Sequence, residues 1–236
     1  MGKKNMPINV TNTQAGASQF ISYLISGASK TGKTVLSTTI PSNKLLFGNT
    51  ENNLASIYGA DVNKVDIFSY AAMIEVIEAL EKKQLTPEWF FLDSGTDLAA
   101  KILAEEKKKT KDPRQAYGEM ATKMIDIINR LKILPLNFVM IAQQGKIKDE
   151  QTGGIIFGPS FDGQQLEGKV PYMFDAVLAS RVVKNDKGAD QHVLQCHPCP
   201  QYTAGVRTKF SNGEMTNPLA GFENPNLLEI HKKILN

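Results

Sequence analysis

Residues 23–41 read YLISGASKTGKTVLSTTIP, and within them Gly27, Gly32, Lys33 and Thr34 complete the spacing G-x-x-x-x-G-K-[ST] of a phosphate-binding loop. Ordinary residue frequencies produce that spacing in a chain of 236 residues on the order of one time in a hundred. The flanks make an accident rarer still. FISYLIS, before the loop, is apolar and β-prone, as a strand buried on both faces must be. KTVLSTT, after it, reads as a short helix stopped by Pro41. A chain with strand, glycine-rich turn and helix in this order is constrained to an α/β architecture with the turn at one end of its sheet.

The residue types follow from the ligand's charge. A nucleoside triphosphate tail has to be held without bulky side chains, so glycine permits close approach and backbone N–H groups turn inward. The run Gly27, Ala28, Ser29, Lys30, Thr31, Gly32, Lys33, Thr34 and Val35 is therefore the expected nucleotide-binding segment. Lys33 is expected on the β- and γ-phosphates, the Thr34 hydroxyl on Mg2+, and the helix N-terminus adds its partial positive charge.

Six segments read as strands, at 20–26, 44–48, 64–68, 88–92, 136–142 and 176–183, with helical patterns at 71–83, 97–109 and 115–134 between them. In the last helix Met120, Met124, Ile127, Ile128, Leu131 and Leu134 form one stripe, read as core packing. This alternation predicts a mostly parallel sheet with helices on both faces, and ligands beyond the carboxyl ends of the strands. At 236 residues the chain suits one such domain, over 19–236, preceded by a polar leader at 1–18 read as flexible. A net charge of +3 argues neither for nor against nucleic acid, and no apolar run reaches membrane-spanning length. A cytoplasmic protein without a membrane partner is the expectation.

Strand ends then nominate residues. EWFFLD ends at Asp93, placed to anchor Mg2+ with Thr34, the alternative being an N-cap for the helix that follows. KLLFGNTE ends near Glu51, a carboxylate that can polarise an attacking water, or else an ordinary solvated glutamate. LNFVMIAQQ runs into Gln143 and Gln144, and a glutamine there can hydrogen-bond a γ-phosphate and report its loss to the glycine-rich stretch 145–168, read as mobile loops around a short GIIF strand. Cys196, His197 and Cys199 lie together, but a tetrahedral zinc site needs four ligands and no second pair exists, so reduced thiols at a proline-bent turn are expected. The other histidines, His192 and His231, look isolated.

The order of these parts resembles the core of RecA-type recombinases, a RecA-like P-loop NTPase fold with a C-terminal β-hairpin region. LLFGNTENNLASIYG is similar to the segment bearing that family's catalytic glutamate, which implies this role for Glu51 beside Lys33 and Gln143. FVMIAQQGKIK resembles the strand entering the first DNA-binding loop, which implies DNA proximity for Lys146 and Lys148. GVRTKF looks like the place where relatives reach a neighbouring subunit's nucleotide, implying in-trans contacts from Arg207 and Lys209 on one strand face; a charge-protected edge strand is the alternative. RQAYGEMATKMIDIINRLK resembles the tyrosine-glycine segment before a long helix in short bacteriophage nucleotide-binding proteins of this superfamily, several of them single-strand annealing or recombination proteins. The likeness implies an Mg2+-dependent ATPase forming a homo-oligomer, ring or filament, on single-stranded DNA in the bacterial host cytoplasm, with a single-strand-binding protein as a further partner. Two other readings remain: a small P-loop phosphotransferase acting on a metabolite, and a nucleotide-binding module without turnover.

Overall fold

A computed structural model describes residues 19–52, 54–148, 153–211 and 214–236; the leader at 1–18 lies outside the described residues. The elements run in the order β1 (Ser22–Gly27), β2 (Leu45–Asn49), β3 (Lys64–Asp66), α1 (Tyr70–Glu81), β4 (Trp89–Asp93), α2 (Gly95–Lys109), α3 (Pro113–Lys132), β5 (Asn137–Lys148), β6 (Ile155–Ser160), α4 (Gln164–Lys169), β7 (Ala176–Lys184) and β8 (Asp190–Gln195). The short strands β9 (Gly205–Val206), β10 (Lys209–Ser211), β11 (Glu214–Thr216) and β12 (Phe222–Glu223) precede α5 (Leu227–Leu235).

The central sheet has the order β12-β8-β7-β1-β5-β4-β2-β3, with β6 paired to β5 and β9 to β7. The pairings β1–β5, β1–β7, β4–β5, β2–β4 and β2–β3 are parallel, whereas β7–β8 and β5–β6 are antiparallel. The result is a mostly parallel α/β sheet, as the alternation in the sequence predicts, and its strand β5 lies between the phosphate-loop strand β1 and the Asp93 strand β4.

Alternation along the strands divides the core in two. Leu24, Phe90, Leu92, Phe138 and Met140 face the three long helices, where Met73, Ile77, Leu98, Ile102, Met124 and Ile128 complete one layer. Tyr23, Ile25, Phe47, Phe91, Val139 and Ile141 face the other way, onto Leu36 and Ile40 and onto Leu227, Ile230 and Ile234 of α5. Each fully buried aliphatic or aromatic side chain contributes about 1.5–3 kcal/mol, which is why both strand faces read as apolar in the sequence. The methionine stripe of α3 is core, as its spacing predicts: Met120 and Met124 are buried.

Helix ends follow their caps. Ser94 accepts from the Asp97 amide at the start of α2, and Asn226 accepts from the Glu229 amide at the start of α5. The segment after the phosphate loop is a single 3₁₀ stretch, Thr34–Thr39, rather than an α-helix, so its dipole is short.

Two expectations need correction. Strand β5 does not stop at 142 but continues to Lys148 and pairs antiparallel with β6, with Gln143 opposite Ser160 and Lys148 opposite Ile155; within the stretch read as mobile loops, 145–148 and 155–160 are paired strands and α4 begins at Gln164, while 149–152 lie outside the described residues. Close approach at the hairpin base needs Gly145, where a Cβ would sit 2.8 Å from the Ser160 Cβ. Arg207 and Lys209 also do not share one strand. Strand β9 ends at Val206 opposite Ala176, the first residue of β7, and Lys209 pairs instead with Thr216 in the separate β10–β11 hairpin.

Candidate nucleotide-binding site

The loop leaves β1 at Gly27, whose register partner is Ser180 of β7. A Cβ there would lie 2.6 Å from the Ser180 carbonyl oxygen, so the position admits only glycine without backbone movement. Lys30 and Gly32 have φ of 65° and 91°, and these left-handed turns reverse the chain around a concave face. Thr31 Oγ1 donates to the Ala28 carbonyl (3.0 Å), closing the loop. Lys33 Nζ donates to the carbonyls of Gly27 (2.9 Å) and Ala28 (2.7 Å). Burial pulls the Lys33 ammonium below its usual pKa, and the carboxylates of Asp93 and Glu51 oppose that shift.

A cavity of about 600 Å3 opens at the carboxyl ends of β1, β2 and β4 and beside Gln143 in the middle of β5, and Gly27, Ala28, Ser29, Lys30, Gly32, Lys33, Thr34 and Val35 line it. Glu51, Asp93, Ser94, Gln143 and Gln144 line the same space. Thr31 does not: it is buried, and its carbonyl accepts from Ser180 Oγ (2.9 Å) and His192 Nδ1 (3.0 Å).

The acidic side is built by parallel pairing, in which Asn49 of β2 stands beside Asp93 of β4. Thr34 Oγ1 donates to Asp93 Oδ2 at 2.6 Å. Asp93 is 6% exposed, and burial, opposed by the Thr34 hydrogen bond and helped by the Glu51 charge, raises its pKa to about 6. The Asp93–Ser94 peptide is cis. Thr50 Oγ1 accepts from the Ser94 amide (2.6 Å) and donates to the Ser94 carbonyl (3.0 Å), while Ser94 Oγ donates to Glu51 Oε1 (2.7 Å). Ser94 thus carries both the helix cap and the carboxylate that the sequence nominates as general base. A hydroxyl and two carboxylates around one depressed ammonium are an oxygen-donor set suited to Mg2+, which would relieve the unfavourable ionisation of buried Asp93. Thr34 and Asp93 are the residues that would hold it.

Gln143 and Gln144 meet this space from β5, and Gln143 is exposed in it. Its backbone amide donates to Thr96 Oγ1 (3.0 Å), and Thr96 in turn donates to the Ser160 carbonyl (2.7 Å). One hydroxyl in the first turn of α2 therefore ties both strands of the β5–β6 hairpin to the helix that Ser94 caps. Lys146 and Lys148 lie further along that hairpin, both exposed.

Arg207 and Lys209 lie elsewhere. The Arg207 amide donates to the Asp175 carbonyl and its Nε pairs with Asp175 Oδ1 at 3.1 Å, while Asp175 Oδ2 accepts from the amide and hydroxyl of Ser22 at the amino end of β1. The six residues of β1 separate that pole from the phosphate loop, a span of about 17 Å. Cys196 and His197 are engaged with carbonyls: Cys196 Sγ donates to Leu194 (3.4 Å) and His197 Nε2 to Leu219 (2.8 Å). Among the described residues, no cluster of three or more His, Cys, Asp or Glu side chains could hold a metal ion, and no helix is long and apolar enough to cross a membrane.

Sequence reasoning misses Thr96, Ser180 and His192. For Ser180 a signal exists, since a small polar residue interrupts the apolar run of β7 at the height of Gly27. His192 has none, because its approach to Thr31 depends on the β7–β8 register that places it opposite Val182.

A family model described as an AAA domain matches residues 19–208. No curated protein matches the chain. Among solved structures, a KaiC-like protein of the hyperthermophilic archaeon Pyrococcus horikoshii OT3 superposes with a TM-score of 0.45 at 10% identity, over 83% of this chain and 88% of that one.

Proposed function

The chain belongs to the AAA domain family of P-loop ATPases, and from that premise we propose that it is an Mg2+-dependent ATPase that assembles on single-stranded DNA and promotes annealing or recombination. The observation that carries this reading is the continuity of β5, which lines the nucleotide cavity at Gln143 and bears Lys146 three residues on, about 10 Å away. Loss of a hydrogen bond to the Gln143 side chain is felt by the strand that presents the lysines, and Thr96 passes it to β6 through Ser160.

The residues divide the work between them. Backbone N–H groups of the loop and the Lys33 ammonium bind and orient the triphosphate, which requires Lys33 to leave the loop carbonyls it now holds. Thr34 and Asp93 would hold Mg2+, which would supply neutralisation of the phosphate charge. Glu51, oriented by Ser94, accepts the proton of the attacking water. The exposed lysines of the hairpin meet DNA phosphates, with many copies together supplying the grip. Arg207 sits at the opposite pole from the phosphate loop, and in a head-to-tail stack of copies that pole faces the neighbour's nucleotide.

The test uses Glu51→Gln with oligonucleotide binding followed by anisotropy. Hydrolysis is lost while ATP-dependent DNA binding and assembly are kept. Failure of wild-type protein to assemble on or bind oligonucleotides with a nonhydrolysable ATP analogue overturns the proposal.

A further inference from the structure

We infer that His192 is a positioning residue of the phosphate-binding loop, holding the Thr31–Gly32 peptide so that the Gly32 N–H faces the nucleotide phosphates. The inference rests on reading the loop as the cradle of a nucleotide, and it adds a residue from outside the loop, 161 positions away in sequence.

One carbonyl is doubly held. The Thr31 oxygen accepts two hydrogen bonds, from Ser180 Oγ at 2.9 Å and from His192 Nδ1 at 3.0 Å, which occupies both lone pairs. A carbonyl only accepts, so Nδ1 carries the proton. Both donors stand on one face of the β7–β8 arm, because Ser180 and Val182 alternate to the same side and Val182 is the register partner of His192. The peptide is planar and trans, so its C=O and N–H point in opposite directions. Turning the Thr31 oxygen onto the arm therefore turns the Gly32 N–H away from the arm, and Gly32 lines the cavity. Gly32 has φ of 91°, and a Cβ there would lie 3.5 Å from His192 Nδ1, so the ring rests against the turn immediately before Lys33. His192 is exposed and contributes little to the core, which leaves the loop contact as its distinctive interaction.

Two measurements test this. In the nucleotide-free protein labelled with 15N-histidine, the imidazole shifts of His192 report the Nδ1–H tautomer, the less populated one in free histidine. The second measurement is steady-state ATP hydrolysis by His192→Ala and His192→Asn, since the asparagine amide places an N–H near the Nδ1 position. One lost hydrogen bond predicts that His192→Ala raises KM about three- to tenfold with kcat unchanged, because a phosphate contact present in ground and transition states acts on binding alone. His192→Asn restores KM to within about twofold. An Nε2–H tautomer, an unchanged KM in His192→Ala, or an asparagine variant as impaired as alanine overturns the inference. Wild-type protein that turns over no nucleotide overturns the functional reading instead, and the tautomer still decides whether the contact exists.

Discussion

Replacing Asp93 by Asn exchanges function for stability in a calculable way. Asp93 is 6% exposed and its pKa is raised from 3.8 to about 6, chiefly by burial. Between those values the folded state binds more protons than the unfolded state, so stability falls as pH rises through the window. A rise of that size corresponds to about 3 kcal/mol, fully expressed above pH 7. Asn keeps an oxygen to accept from the Thr34 hydroxyl at 2.6 Å and carries no charge to desolvate. Urea unfolding of nucleotide-free protein at pH 8 therefore finds Asp93→Asn more stable than wild type by up to about 3 kcal/mol. The gap shrinks to about half near pH 5 and is largely gone near pH 4, where wild-type Asp93 is protonated in the fold. On the proposed function Asp93 anchors the metal, and hydrolysis by the variant is then expected to collapse. A variant no more stable than wild type at pH 8, or a gap independent of pH, refutes the reasoning that burial governs this carboxyl.

Two further outcomes follow from the same geometry. Ser94→Ala removes the donor to Glu51 and the cap of α2, so kcat falls about tenfold to a hundredfold with KM for ATP little changed, and urea unfolding shows a loss of about 1 kcal/mol. Replacing Lys146 and Lys148 together by Ala weakens oligonucleotide binding and lowers the slope of log affinity against log salt by about 1.4, while basal hydrolysis without DNA stays at the wild-type rate.

What the sequence makes legible is local. The phosphate loop needs only eight consecutive residues to declare itself, and Asp93 closes a strand whose five residues are all buried. Glu51 is nominated by its place after β2, but its link to Ser94 depends on the register that sets Asn49 beside Asp93. The hairpin escapes a local reading because β5 leaves the buried sheet at Gln143, where the apolar signal stops while backbone pairing with β6 continues. Polarity then mimics a loop, and only the long-range pairing distinguishes the two. Arg207 and Lys209 read as one strand because their alternation is a local pattern; the start of β7 at Ala176, a tertiary fact, divides them. His192 is invisible for the same reason.

If the nucleotide cavity and the β5–β6 hairpin act as one device, the coupling shows most directly in the rate of ATP hydrolysis with and without single-stranded DNA, at low and moderate salt, beside a Lys33→Ala control. Stimulation by DNA that weakens with salt and disappears in the control is the predicted result; hydrolysis by the wild-type protein that is indifferent to DNA contradicts the coupling.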